Sequence, residues 1–303
     1  MVKHMLSLLD YSEKDIKHIL DLSLKLKKGE INEDLKDKTL AMLFQKSSTR
    51  TRVSFEAGMT RLKGHSIFLD MSTTQLGRGE TIGDTVGCLE RYCDAIMARV
   101  NKHSDLETMI ENAKVPIING LSEKFHPCQT MADMLTVIEK KGKLEDLKVV
   151  FIGDCGFNMF NSTMIGFSKM WSNVVAVCPD KDGYRPEQEL VDLARKHGKG
   201  TITIEHDPVK GIKDADVIHT DTWVSMGQEG ADKRIKELQP YQLNSELLKH
   251  AKEDAIVMHC LPAHRGHEIT NQVIDGSQSV VFDQAENRLH AQNGILLHLI
   301  KNL

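Results

Sequence analysis

Two α/β domains, each doubly wound about a mainly parallel sheet, are what the 303-residue sequence predicts. A cleft between them and a C-terminal helix returning to the first domain complete the expected architecture. Three observations predict it. Short apolar runs alternate with stretches of helical periodicity along the chain, which is the pattern of βαβ units. The alternation stops at Lys141, Gly142 and Lys143 and then starts afresh. The length suits two ordinary domains, and 40% apolar residues supply each with a core. The predicted division is 1–141, 142–285, and 286–303 for the returning helix.

In the first half, Ser12 is placed to cap a helix whose apolar positions are Ile16, Ile19, Leu20, Leu22 and Leu26. Residues 39–44 read as a strand buried on both faces. Val53, Phe55, Met59 and Leu62 then recur at helical spacing, and residues 66–69 form a second strand. Residues 73–85 are polar, contain Gly77, Gly79 and Gly83, and carry Gln75, Arg78 and Glu80. A connection of that length is either functional or mobile. A helix is expected over 85–92 and strands over 94–99 and 115–119. Pro127 suits the first position of a helix running to 141.

In the second half, strands are expected at 148–152, 174–177, 201–204, 217–219, 255–258 and 280–282. Helices are expected at 158–171, 186–197 and 286–301. Gly153 and Gly156 resemble half of a dinucleotide fingerprint. The third glycine is missing and no acidic residue closes the next strand, so this is a poor signal for NAD.

The bulk numbers exclude several function classes. A net charge of −4 argues against bulk attraction to nucleic acid or to an anionic membrane. No apolar run approaches the roughly 20 residues of a membrane span. Residues 1–10 lack the pattern of a signal peptide. The six cysteines are scattered with no Cys-x-x-Cys pair, which suits reduced thiols in a cytoplasmic protein and neither a disulfide framework nor a zinc site.

The chemistry collects at strand ends, where open α/β sheets hold ligands. Ser48, Thr49, Arg50, Thr51 and Arg52 sit where a strand turns into a helix. Free N–H groups and the helix dipole favour an anion there, hydroxyls add donors, and guanidinium forks match phosphate oxygens. The competing reading is an N-cap followed by a solvated basic turn. The density of hydroxyls and arginines favours the oxyanion site. Arg99, His126 with Gln129, Asn158, Asp221 with Ser225, and His259 with Cys260 also fall at strand ends. They come from both halves, which places the expected site in the cleft. Cys260 follows a buried strand and is by default a core thiol. Beside Asp221 it could meet a ligand amine, whereas a nucleophile would need a base the sequence does not place.

Four of these stretches have the order and spacing of known signatures. They are Ser48-Thr49-Arg50-Thr51-Arg52, His126-Pro127-Cys128-Gln129, Asp221-x-x-x-Ser225-Met226-Gly227 and His259-Cys260-Leu261-Pro262. They resemble the ornithine carbamoyltransferases, as do the stretches around Gln75 and around Arg288. The first signature indicates only a carbamoyltransferase, and the third and fourth select ornithine over aspartate. The resemblance implies transfer of a carbamoyl group from carbamoyl phosphate to L-ornithine, giving L-citrulline and phosphate.

It also implies residue roles. Ser48, Thr49, Arg50 and Thr51 would bind the phosphate, with Gln75 offered by a neighbouring subunit. Arg99, His126 and Thr51 would hold the carbonyl oxygen, Gln129 the carbamoyl nitrogen, and Arg288 would close over the carbamoyl phosphate. Asn158, Ser225 and the Met226 backbone would hold the amino acid head group, and Asp221 its α-amino group. Cys260 and Leu261 would line the path of the δ-amine, bordering the carbamoyl phosphate. Residues 225–227 would form a closing loop. The resemblance further implies a homotrimer in the cytoplasm, small-molecule substrates, and no metal or cofactor.

One position departs from the family. Paired asparagines are usual after the first strand of the second domain, and here Phe157 replaces the first while Asn158 is kept. Specificity for the amino acid is therefore less secured than the carbamoyl chemistry. The competing readings are a carbamoyltransferase for another amine such as putrescine, a non-catalytic paralogue with a retained phosphate pocket, and a nucleotide-dependent dehydrogenase. A diamine has no carboxylate for Asn158 and Ser225 to hold, and the full donor set disfavours a silent pocket.

Overall fold

Apolar runs flanked by helical stretches fold here into parallel strands, because crossover helices cover the central strands of each sheet, while the edge strand β2 stays partly exposed. The computed structural model describes residues 4–224 and 230–301. The chain divides into two units, Met1–Leu135 with Glu286–Leu303, and Thr136–Ala285. The first contains α1 (Glu13–Lys28), β1 (Thr39–Phe44), α2 (Thr49–Arg61), β2 (His65–Asp70), α3 (Ile82–Leu89), β3 (Ala95–Arg99), α4 (His103–Asn112), β4 (Ile117–Leu121) and most of α5 (Pro127–Lys141). The second contains β5 (Lys148–Ile152), α6 (Asn158–Lys169), β6 (Asn173–Val177), α7 (Gln188–His197), β7 (Ile202–Glu205), α8 (Pro208–Ile212), β8 (Val217–Thr220), α9 (Ala231–Leu238), α10 (Ser245–Leu248), β9 (Ile256–His259) and α11 (Asn271–Ile274). α12 (Val281–Lys301) starts in the second unit and ends in the first.

In the first unit the parallel order is β2-β1-β3-β4. Its core joins Leu43 of β1, Ile96 and Ala98 of β3, Leu106 and Met109 of α4, and Ile117 of β4. α1 starts with a capping box between Ser12 and Asp15, as the sequence suggests. α12 lies close against α1: a Cβ on Gly294 would collide with the Ser23 hydroxyl and the Ile19 carbonyl. The contact is tied by Lys27, whose Nζ donates to Asn287 Oδ1 at 2.9 Å.

In the second unit the parallel order is β7-β6-β5-β8-β9. Val150, Ile152, Ile218 and Val257 of the sheet pack with Trp223, Leu238, Leu243 and Val273. In both sheets the strand order reverses at the first strand, between β1 and β3 and between β5 and β8.

Several sequence expectations are corrected. Residues 280–282 are not a strand. Ser279 makes one bridge to Val257, and then the Val280 carbonyl accepts the Gln284 N–H at 2.8 Å and α12 begins. A three-residue apolar run fits either period, and the hydrogen bond four residues on decides. The expected helix over 85–92 spans Ile82–Leu89, because the Thr81 side chain caps it through the Asp84 N–H. The expected helix over 158–171 stops at Lys169, and Trp171 takes a left-handed φ of 65°. α4 was not expected; it buries Leu106 and Met109 but starts at Lys102 with no side-chain cap. The long polar connection contains two tight 3₁₀ turns, Met71–Thr73 and Gln75–Arg78.

Candidate active site

In the first unit the Ser48–Arg52 turn leaves β1 at the switch point. Phe44 is in register with Arg99 of β3, so the turn after β1 and the Arg99 side chain start at one level. The Gln45 N–H donates to the Arg99 carbonyl at 2.9 Å and ties the two strand ends. Ser48 caps α2: its Oγ accepts the Thr51 N–H at 3.3 Å and donates to Thr51 Oγ1 at 3.1 Å. The capping reading is thus observed directly. Among the described residues, the N–H groups of Thr49 and Arg50 meet no acceptor, as at any free helix start. Arg52 is diverted: its guanidinium carbon lies 3.7 Å from the Phe68 ring centroid and its Nε donates to Glu56 at 2.9 Å. Arg52 is thus engaged with its own helix and with β2.

A buried relay reaches the turn from far along the chain. Arg288 on α12, 3% exposed, donates from Nη1 to Gln129 Oε1 at 2.6 Å and from Nη2 to Thr51 Oγ1 at 3.3 Å. Gln129 in turn donates to Asp133 Oδ1 at 2.8 Å. With its amide turned so that both ends are satisfied, Gln292 accepts from Arg288 Nη2 at 3.0 Å and donates to Ser54 Oγ. His126 starts the same helix turn as Gln129 and is buried. Burial, then the nearby Arg288 and Arg99 charges, holds its imidazole well below its usual range. It can therefore serve as a neutral donor. Cys128 points elsewhere: its Sγ donates to the Asn119 carbonyl at 3.4 Å, and burial pushes the thiol up to about 12.

In the second unit the turns after β5, β8 and β9 are brought level by register, with Ile152 paired to Thr220 and Thr220 to His259. Thr220 Oγ1 donates to the Ile152 carbonyl at 2.9 Å. Gly153 has φ +122°, and a Cβ there would meet the Trp223 indole nitrogen at 2.8 Å, so this turn requires glycine. A Cβ on Gly156 would meet the Gly183 carbonyl at 2.9 Å, so its open side is filled by backbone and not left for a pyrophosphate. Asn158 opens α6. Cys260 Sγ donates to Asp221 Oδ1 at 3.0 Å, which realises the expected Cys–Asp neighbourhood. Phe157 lies under the Arg234 guanidinium at 5.0 Å, with Tyr184 at 4.6 Å, and Arg234 also pairs with Asp154. The departure from the paired asparagines is thus an aromatic clamp on α9. Ser225, Met226 and the rest of the expected closing loop lie outside the described residues.

Among the described residues, Asp221, His259 and Cys260 place potential metal ligands within 4.8 Å of one another. Both His259 ring nitrogens are already engaged, Nδ1 by the Leu261 N–H and Nε2 by Glu268. The set is thus better suited to a substrate amine than to a metal ion.

Two family models match this chain. The carbamoyl-phosphate-binding domain of the aspartate/ornithine carbamoyltransferases matches residues 3–139, and their Asp/Orn-binding domain matches residues 145–299. The chain belongs to the aspartate/ornithine carbamoyltransferase family. The ornithine carbamoyltransferase of Pyrococcus abyssi is 50% identical over 98% of this chain and 96% of its own length. The solved ornithine carbamoyltransferase of Pyrococcus furiosus superposes with a TM-score of 0.94 at 49% identity, covering 99% of this chain and 98% of that one. The anabolic enzyme of Campylobacter jejuni superposes with a TM-score of 0.92 at 37% identity over the whole of both chains.

Within this carbamoyltransferase chain, the structure brings Thr51, Gln129 and Arg288 into direct contact and sets Ser48 against Thr51. It also joins Asp221 to Cys260. Gln75 is exposed on its 3₁₀ turn. Asp133 and Gln292 were missed, although each stands four residues after the residue it braces, the spacing at which helix neighbours meet. Arg234 was missed because nothing near it in sequence marks it.

Proposed function

We propose that this chain transfers the carbamoyl group of carbamoyl phosphate to the δ-amine of L-ornithine, giving L-citrulline and phosphate. The observation that carries the reading is the buried relay of Arg288, Gln129 and Thr51 running into the Ser48 turn. It fixes a cation, an amide and a hydroxyl in advance around a place suited to a carbonyl bearing a phosphate. The first domain, proposed as 1–141, binds carbamoyl phosphate. The second, proposed as 142–285, binds ornithine, and residues 286–303 return Arg288 to the first.

The phosphate rests on Ser48, Thr49, Arg50 and Thr51. Arg99, His126 and Thr51 donate to the carbonyl oxygen, and Gln129 holds the carbamoyl nitrogen. Asp221 grips the α-amino group, and Asn158 holds the carboxylate end with Ser225 and the Met226 backbone. Cys260 and Leu261 line the approach of the δ-amine. That amine attacks as the free base, and its nitrogen bonds to the carbonyl carbon. Negative charge collects on the carbonyl oxygen, where preset donors are typically worth a few kcal/mol each. The carbon–oxygen bond to phosphate then breaks and the amine's proton leaves with the phosphate. Phosphate is already a good leaving group, so this route calls for no metal.

The working assembly is a homotrimer in the cytoplasm, with Gln75 offered to a neighbouring subunit. Citrulline formation is the favoured direction, since the Pyrococcus furiosus relative is named anabolic. A panel of amines assayed for carbamoylation tests the reading. Ornithine should be turned over fastest; faster putrescine, or bound carbamoyl phosphate with no product from any amine, would refute it.

A further inference from the structure

β9 ends at His259, and the chain must then present Cys260 and Leu261. Leu261 sits at φ +57°, a left-handed conformation that a leucine rarely adopts unaided. The His259 ring holds it, because Nδ1 accepts the Leu261 N–H at 2.9 Å. The ring proton is therefore on Nε2, which donates to Glu268 Oε1 at 3.0 Å. Both side chains are fully buried. The same carboxylate accepts the His264 N–H, so it also ties the far side of the loop. The His259 N–H is pinned separately by Gln284 Oε1 at 2.9 Å. Cys260, held between His259 and Leu261, is the residue whose thiol meets Asp221.

We propose that Glu268, which none of the four signatures contains, is a positioning residue for the amine side of the reaction. It fixes the tautomer and plane of His259, and His259 fixes the backbone that carries Cys260 and Leu261. The effect reaches substrate only through that backbone. The bland alternative is a buried brace that stabilises the fold and nothing more. Against it, the pair lies directly under the turn that meets Asp221, and the bond His259 makes with its second nitrogen is to that turn.

This inference rests on the carbamoyl-transfer reading, and two conservative variants separate it from both that reading and the brace. E268Q keeps an acceptor oxygen at the same reach and loses the charge. E268D keeps the charge and withdraws the oxygen by one methylene. Kinetics with both substrates and thermal midpoints are measured on the intact enzyme. E268D should lower kcat/KM for ornithine by roughly tenfold to a hundredfold, as small misplacements do. Its KM for carbamoyl phosphate should stay within about twofold, since that binding is made elsewhere. E268Q should retain ornithine kinetics within about threefold of wild type, because it restores the hydrogen bond. A lowered midpoint in E268D with unchanged ornithine constants would establish the brace and overturn the proposal. E268Q as impaired as E268D, or a loss shared equally by both substrates, would overturn it too. A wild-type enzyme that makes no citrulline would instead sink the functional reading, a result visible before any variant is compared.

Discussion

The two regions to which the proposed function assigns the substrates are held in opposite ways. In the first unit the turn after β1 is braced over long sequence distances, since Arg288 reaches Gln129 from 159 residues away and Thr51 from 237. In the second unit the turns are aligned by strand register and then tuned by short-range bonds, such as Leu261 to His259 two residues back. The difference suits the two substrates proposed. A doubly charged anion with a developing oxyanion is best met by donors whose orientation is settled beforehand, so that none must reorganise as charge moves. An amino acid needs its two ends placed at a set distance, which the level ends of adjacent parallel strands provide.

The contrast can be broken at its strongest point first. His126→Asn should lower kcat by roughly a hundredfold to a thousandfold, the usual range for loss of a preset oxyanion donor. Carbamoyl phosphate should still bind; an unchanged kcat would remove His126 from the carbonyl site. Next, Arg50→Ala should weaken carbamoyl phosphate binding by on the order of a hundredfold in calorimetry, because a charge-assisted contact to phosphate is lost. Retained affinity would mean that the turn is only a helix cap. On the amine side, Asp221→Asn should raise KM for ornithine by roughly tenfold, as loss of a hydrogen bond to a charged group does. Affinity for carbamoyl phosphate should not move, and a matching loss there would erase the division of labour.

The smallest effect concerns stability. Burial first, then His259, pushes His219 down to about 3. As pH falls below the free imidazole value of about 6.5, the unfolded chain takes up a proton that the folded chain refuses. Stability due to His219 is therefore intact above pH 6.5 and falls by about 1.4 kcal/mol per pH unit down toward the folded value. The urea midpoint should drop between pH 7 and pH 5.5, and by less in His219→Phe. Equal drops in both proteins would show that His219 protonates freely in the fold.

Much of the local structure around the candidate site was legible because its signals are local. Apolar residues 39–44 followed by three hydroxyls and two arginines define a strand and a helix start, and suggest an anion site, without reference to anything else. The residues by themselves did not separate Arg50 from Arg52, which only the family resemblance did; that Arg52 stacks on Phe68 was not legible, because β2 pairs with β1 only in the fold. Residues 280–282 misled for a related reason: a brief apolar run has no period of its own, and only the Val280 to Gln284 hydrogen bond makes it a helix start. α4 escaped notice because no capping side chain announces it.

By itself the sequence determined the α/β class and, through four short stretches, the family resemblance. Each depends on periodicity or residue type over a few neighbouring positions. Tertiary structure alone decided that Arg288, Gln129 and Thr51 form one relay and that Arg52 turns away. It also decided that Phe157 lies under Arg234 and that Glu268 stands behind His259. Those contacts join residues whose separation along the chain says nothing of their distance, and they exist only once sheets and helices have brought them within hydrogen-bonding or stacking reach.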